Sequence, residues 1–181
     1  MKYMNYVKYT GVMLAVSVLF AVTFIYSGTY PVGADNKHNA LTFWVLETLR
    51  TKSIARASND IEVPPLEDPQ LLLTGGADYN DMCAGCHLKP GQEESDMSIG
   101  LYPKPPNLTI AAKDHGHGDE HGESNSLAQQ QFWVIKHGIM ASGMASFGPT
   151  HDDDRIWAMV AFLQKLPELD ALQYQVLTAR N

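Results

Sequence analysis

Residues Asn80–Gly91 read NDMCAGCHLKPG, two cysteines two residues apart with a histidine directly after the second. That spacing admits three chemistries: a dithiol redox pair, half of a zinc site, or a covalent haem tether. The rest of the chain sorts them. Cys83 and Cys86 are the 2 cysteines of the 181 residues, so no second CxxC completes a thiolate zinc cluster. A thioredoxin-like pair wants a βαβ setting of apolar strands, whereas helical patterns, prolines and glycines surround this motif. The haem reading is the one favoured: both thiols add to the vinyl groups, and His87 ligates the iron. One helical turn presents both sulfurs to one edge of the porphyrin, and the histidine follows beneath the ring.

Covalent haem of this type is attached outside the bacterial cytoplasm, and the N-terminus supplies a route. After Lys2 and Lys8, the stretch from Thr10 to Tyr30 carries no charge. About 20 residues at 1.5 Å each span a hydrocarbon core of ~30 Å. Lysines on the N-terminal side keep that end in the cytoplasm and send the remainder across. The competing reading is a cleavable signal peptide, with Val32–Ala34 as the cleavage site, but the apolar run exceeds the usual signal core of roughly 7–15 residues. A retained single-pass anchor in the inner membrane is therefore expected, with the CxxCH motif in the periplasm.

Beyond the anchor, about 150 residues suffice for one domain with a core plus a linker. Setting aside Lys2 and Lys8, 11 of the 13 basic residues and all 20 acids lie there, a formal charge of −9. Such acidity argues against a nucleic-acid partner and is compatible with steering toward a basic redox partner. The expected organisation is 1–34 anchor, 35–67 juxtamembrane helix and Pro-rich linker, and 68–181 haem domain. In the middle segment Leu41, Trp44, Val45, Thr48, Leu49 and Ile54 recur at helical spacing. This predicts an amphipathic helix over Leu41–Ala57, its stripe lying on the membrane or packed on the following domain. Val63–Pro69 then reads as a stiff connector.

Asp68 and Pro69 form an N-cap and first helical residue, opening a helix through Leu72, Gly75 and Tyr79 into the motif. A glycine inside a helix costs up to ~1 kcal/mol against alanine, which makes sense where another helix approaches closely. The partner is the helix in HDDDRIWAMVAFLQKLP (151–167). Thr150 and Asp153 are candidates for its capping box, Ile156, Met159, Val160 and Leu163 for its buried stripe, and Pro167 for its stop.

This all-α arrangement resembles the class I monohaem cytochromes c, and among them the membrane-anchored periplasmic type of Gram-negative bacteria. Gly75 and Tyr79 stand eight and four residues before Cys83, and Phe162 fits the aromatic of the last helix. The resemblance covers roughly 68–166. It implies one haem c, bound through Cys83 and Cys86, with His87 and a methionine on the iron. In such proteins the methionine comes from a loop before the last helix, here GIMASGMASFG (138–148). Met144 matches the family position and is flanked by glycines that let the backbone approach the ring. Met140 then falls to core packing, and His137 and His151 keep a bis-histidine alternative open. The resemblance further implies that the Pro106 carbonyl receives the second N–H of His87 and that Leu108 packs on the haem, with Pro103 or Pro105 as alternatives for Pro106.

The tract KDHGHGDEHGE (113–123) departs from that pattern. His115, His117 and His121 are of a composition that binds divalent metals, although a solvated surface insertion in a loop is the reading favoured. The function expected is electron transfer rather than catalysis, between a membrane respiratory complex or dehydrogenase and an oxidase or soluble carrier. Two alternatives stand beside it. One is a haem enzyme or gas or redox sensor with a labile sixth ligand. The other is a fixed haem subunit of a larger oxidoreductase complex.

Overall fold

The computed structural model describes residues 2–110 and 120–179. Among them every regular element is a helix or helical turn. They fall into two compact units, one through Asn36 and one from Lys37 onward.

The first unit is α1 (Lys2–Ser27), whose stretch Asn5–Ser27 is long and apolar enough to cross a membrane. Its hydroxyls are spent internally: Thr10, Ser17 and Thr23 each donate to the carbonyl four residues back. A helix that satisfies its own polar groups suits a medium without water. Gly28, at φ +66°, ends it, so the helix starts earlier than the uncharged run and stops short of Tyr30.

The second unit begins with α2 (Ala40–Ser58), capped by the Asn39 side chain accepting from the Thr42 N–H at 2.9 Å. Of the two placements open to its stripe, packing on the domain holds in part: Ile54 and Leu49 turn toward the domain, but Leu41, Trp44 and Val45 face out, with Trp44 63 % exposed. The following strand-like segment is no spacer: Ile61, Val63 and Leu66 pack on the core, and the Gln129 amide donates to the Ile61 carbonyl at 2.7 Å.

Asp68 caps α3 (Pro69–Asp78), accepting from the Gln70 N–H. The chain then widens into a π-turn (Tyr79–Cys83) before the short α4 (Ala84–His87) and α5 (Asp96–Gly100). Next come α6 (Glu120–His137), α7 (Asp153–Lys165) and α8 (Ala171–Thr178), with a 3-10 turn at Leu166–Glu168. Helix α6 starts well before Leu127, where the apolar pattern sets in. The cap of α7 is Asp152, which accepts from the Arg155 N–H at 2.9 Å. Thr150 instead donates to the Phe147 carbonyl, two residues too early to serve. Helix α8 is an addition to the sequence reading, with Asp170 and Gln173 forming its capping box.

The crossing of α3 and α7 organises the core. A Cβ on Gly75 would lie 1.9 Å from the Ala158 carbonyl oxygen, so backbone touches backbone there. One turn on, Tyr79, Phe162 and Tyr174 gather with ring centroids 5.4 to 6.3 Å apart. Every residue of α7 from Ile156 to Leu163 is buried, a wider face than the four-residue stripe. On its other side Trp157 stacks on Phe132 of α6 at 4.2 Å.

Candidate haem site

Cys83 closes the π-turn, and Cys86 and His87 follow on α4. The turn has a cause in its hydrogen bonding: the Ala84 N–H reaches back five residues to the Tyr79 carbonyl. Such π insertions are uncommon and cluster at functional positions. Burial pushes the Cys83 thiol up to about 12, with the nearby charges of Asp78 and Cys86 adding to it.

Directly after the motif the backbone adopts a rare conformation. Leu88 sits at φ 72°, ψ 170°, a region essentially reserved for glycine and costing of order 1–3 kcal/mol. Three contacts hold it there. Its N–H donates to the Ala84 carbonyl at 2.9 Å, its side chain is buried, and its carbonyl accepts from the Tyr79 hydroxyl at 2.7 Å. The same hydroxyl lies 3.2 Å from the His87 carbonyl. Burial raises the Tyr79 pKa far above its ordinary value, so the donor proton stays in place.

His87 Nδ1 lies 2.9 Å from the Pro106 carbonyl oxygen. A carbonyl can only accept, so Nδ1 carries the proton and Nε2 keeps its lone pair. Burial lowers the His87 pKa and the bond to Pro106 partly offsets this; the neutral ring, the form that ligates metal, is favoured. The loop is tied back once more by the Leu108 N–H, which donates to the His87 carbonyl at 3.3 Å.

Cys83, Cys86 and His87 line a cavity of about 390 Å³. Pro106, Leu108 and Met144 line the same cavity, as do Pro103 and Pro105. Met82, Leu101, Val134, Ile135, Ile139, Phe147 and Leu163 make the wall largely apolar. Such a wall suits a flat hydrophobic ring. The two thiols and the imidazole at one side suit its attachment, so the residues present fit a covalently held haem.

The methionine loop is set by Gly138, which ends α6 at φ +67°. A Cβ there would meet the Met144 carbonyl oxygen, the Ala145 carbonyl carbon and the Ser146 nitrogen, each at 2.8 Å. The loop thus folds back against the helix end, and the Ile139 N–H donates to the Met144 carbonyl at 3.1 Å. Met140 is 97 % exposed rather than packed in the core. The histidines of the bis-histidine alternative lie elsewhere: His137 rests on Trp133, and His151 bonds Thr150 and faces Phe147. His115 and His117, and the side chain of His121, lie outside the described residues. Among the described residues no group of three or more His, Cys, Asp and Glu side chains is placed to hold a free metal ion.

Two features of the site escaped the sequence reading. Arg50, Thr51 and Ile54 of α2 also line the cavity, a long-range placement that no motif announces. The Tyr79 hydroxyl bond to Leu88 was equally hidden, although an aromatic at that position was marked.

An all-helical domain with CxxCH entering a helix, a glycine-mediated helix crossing behind it and a methionine loop before the last long helix defines a monohaem class I c-type cytochrome. The family model described as cytochrome c oxidase, cbb3-type, subunit III matches residues 70–163. The chain belongs to that family. No curated protein and no solved structure matches the chain. Family membership carries covalently bound haem c, for which Cys83 and Cys86 form the attachment motif, and the role of a haem-binding electron carrier with redox protein partners.

Proposed function

We propose that this chain is an inner-membrane-anchored cytochrome whose haem domain lies in the periplasm and whose iron is held by His87 and Met144. The observation that carries the ligand set is the shared cavity of Cys83, Cys86, His87 and Met144, with the imidazole oriented by Pro106. When bound, the haem supplies a one-electron ferric/ferrous couple, and a thioether ligand raises its potential relative to bis-histidine. The chain's part is to fix the ring by two thioethers, hold His87 in one tautomer, and surround the ring with apolar side chains that exclude water. With His87 and Met144 both holding the iron, the chain would leave it no open site for substrate, which favours electron carriage over substrate chemistry. Helix α1, with lysines at its cytoplasmic end, supports the anchored location. The partners proposed are a membrane quinol-oxidising complex or periplasmic dehydrogenase on one side and an oxidase or soluble carrier on the other.

A second reading, a fixed haem subunit in a larger oxidoreductase complex, is favoured by one observation. Leu41, Trp44 and Val45 leave α2 with an apolar exposed face, of the kind that marks protein or membrane contacts. Purification from native membranes in mild detergent separates the readings: a carrier elutes alone, a subunit with stoichiometric companions. Haem staining of the denatured band tests the covalent attachment beneath both, and a band without stain overturns it.

A further inference from the structure

We infer that Arg50 is a haem-binding residue: α2, which lies outside the family-matched residues 70–163, supplies a guanidinium to a haem propionate. Helix α2 turns a mixed side to the domain: Phe43, Leu46 and Leu49 line the hollow there together with Glu47, Arg50 and Ile54, while Leu41, Trp44 and Val45 turn to solvent. An ionic pair such as Glu47 and Arg50 among apolar neighbours is costly to enclose unless a further charged or polar partner waits there.

Haem brings such a partner. It carries two ionised carboxylates, which need opposite charge or water when the ring enters an apolar cavity. Among the described residues, the cations on the cavity wall are Arg50 and Lys104. Lys104 bonds Glu94 at 2.9 Å in a pair whose lysine side chain is 53 % exposed, and exposed pairs of this kind contribute little. The Arg50 side chain is 34 % exposed. It also lines a neighbouring hollow of about 560 Å³, so it stands where the two spaces join. Glu47 meets one of its terminal nitrogens at 2.5 Å. A guanidinium has five N–H donors in a planar fork, so further donors remain for a second carboxylate.

The inference rests on haem bound in this cavity and not on the sixth ligand. Its test uses the full-length holoprotein in detergent, with two readouts: the reduction potential and the propionate bending mode in resonance Raman. Removing a positive charge beside the ring disfavours the reduced state relative to the wild type by weakening the field that attracts the electron. Arg50→Gln is expected to lower the equilibrium constant for reduction about threefold to tenfold and to shift the propionate mode. Arg50→Lys should restore most of the potential, and Lys104→Gln should move the mode less than Arg50→Gln. Wild-type values of both readouts in Arg50→Gln overturn the inference, as does a mode that responds to Lys104→Gln instead. Should Arg50→Gln fail to accumulate, Glu47→Gln takes its place: freeing Arg50 from its carboxylate should raise the potential, and an unchanged potential overturns the inference. The sulfur-to-iron absorption band is read in every sample. Its absence from the wild type would count against Met144 ligation and leave the Arg50 outcome readable.

Discussion

Asp78 and Arg155 clasp the crossing of α3 and α7 through two bonds, Nε to Oδ2 at 2.6 Å and a terminal guanidinium nitrogen to Oδ1 at 2.8 Å. The carboxylate is 3 % exposed, so the arginine shields an acid enclosed beside the haem motif. The bond to Asp78 in turn raises the Arg155 pKa. Arg155→Ala leaves that acid without its guanidinium, and we expect a loss of about 2–4 kcal/mol, measured by denaturant unfolding of the holoprotein. A change below about 0.5 kcal/mol would show the clasp to be ornamental.

The helix crossing makes a sharper demand at Gly75. With the Ala158 carbonyl 1.9 Å from a hypothetical Cβ, Gly75→Ala must push two backbones apart. The expected cost is about 3 kcal/mol or more, or failure to accumulate. Gly85→Ala, inside the CxxCH motif, meets nothing within 4 Å and should be neutral or slightly stabilising. The comparison is read from the two melting temperatures; equal shifts would contradict the close packing.

Sixth-ligand identity is tested by two methionine variants. In Met144→Ala the weak ferric charge-transfer band produced by sulfur ligation should vanish and the potential should fall. Met140→Ala should keep the band, since that side chain is almost fully exposed. The reverse pattern would assign Met140 instead.

In haem-free protein, Cys83 should react slowly with iodoacetamide. Burial first, then Asp78 and Cys86, hold its pKa up at about 12, and only the thiolate attacks. The group's folded pKa lies above its ordinary value, so at pH 8 it stays protonated, and reactivity rises as pH climbs toward 12. Peptide mass spectrometry should find modification about a thousandfold slower than for free cysteine at that pH. Equal rates would mean that the thiol is not enclosed.

Retention of α1 is checked by intact-mass analysis of protein from native membranes. The full chain carrying one haem is expected in the membrane fraction. A mature form beginning at Asp35, recovered from the soluble periplasm, would replace the anchored carrier with a diffusing one.

Much of the haem domain was legible because local chemistry dictated it. Asp68 and Pro69 can start only one kind of element, and a glycine eight residues before CxxCH marks a helix contact wherever it faces another helix. What escaped depended on distance in sequence. The turning of Arg50 and Ile54 toward the domain depends on a cavity built by residues roughly 30 to 110 positions later, which periodicity cannot see. Thr150 and Asp152 are both competent caps, and only the backbone turn at Phe147, whose carbonyl takes the Thr150 and His151 N–H groups, decides between them. Leu88 is the clearest case: nothing in a leucine announces a glycine-like backbone, because the Tyr79 hydroxyl and the buried side chain impose it.

The packed segment after α2 also changes how far the haem can travel. With Ile61, Val63 and Leu66 pressed on the core and Gln129 gripping the Asn59 and Ile61 carbonyls, the tether that is left is at most 28–39, between α1 and α2, and His38 already packs on Tyr102. Those residues extend to about 40 Å at most. Were 59–68 free as well, the leash would be nearly twice as long and the volume swept correspondingly larger. For a chain held in the bilayer by α1, the shorter leash raises the effective concentration of haem near a neighbouring membrane complex about two- to threefold. It also sets a ceiling: an electron acceptor whose docking face stands farther from the bilayer than the leash and the domain's own width allow is out of range, whatever its affinity.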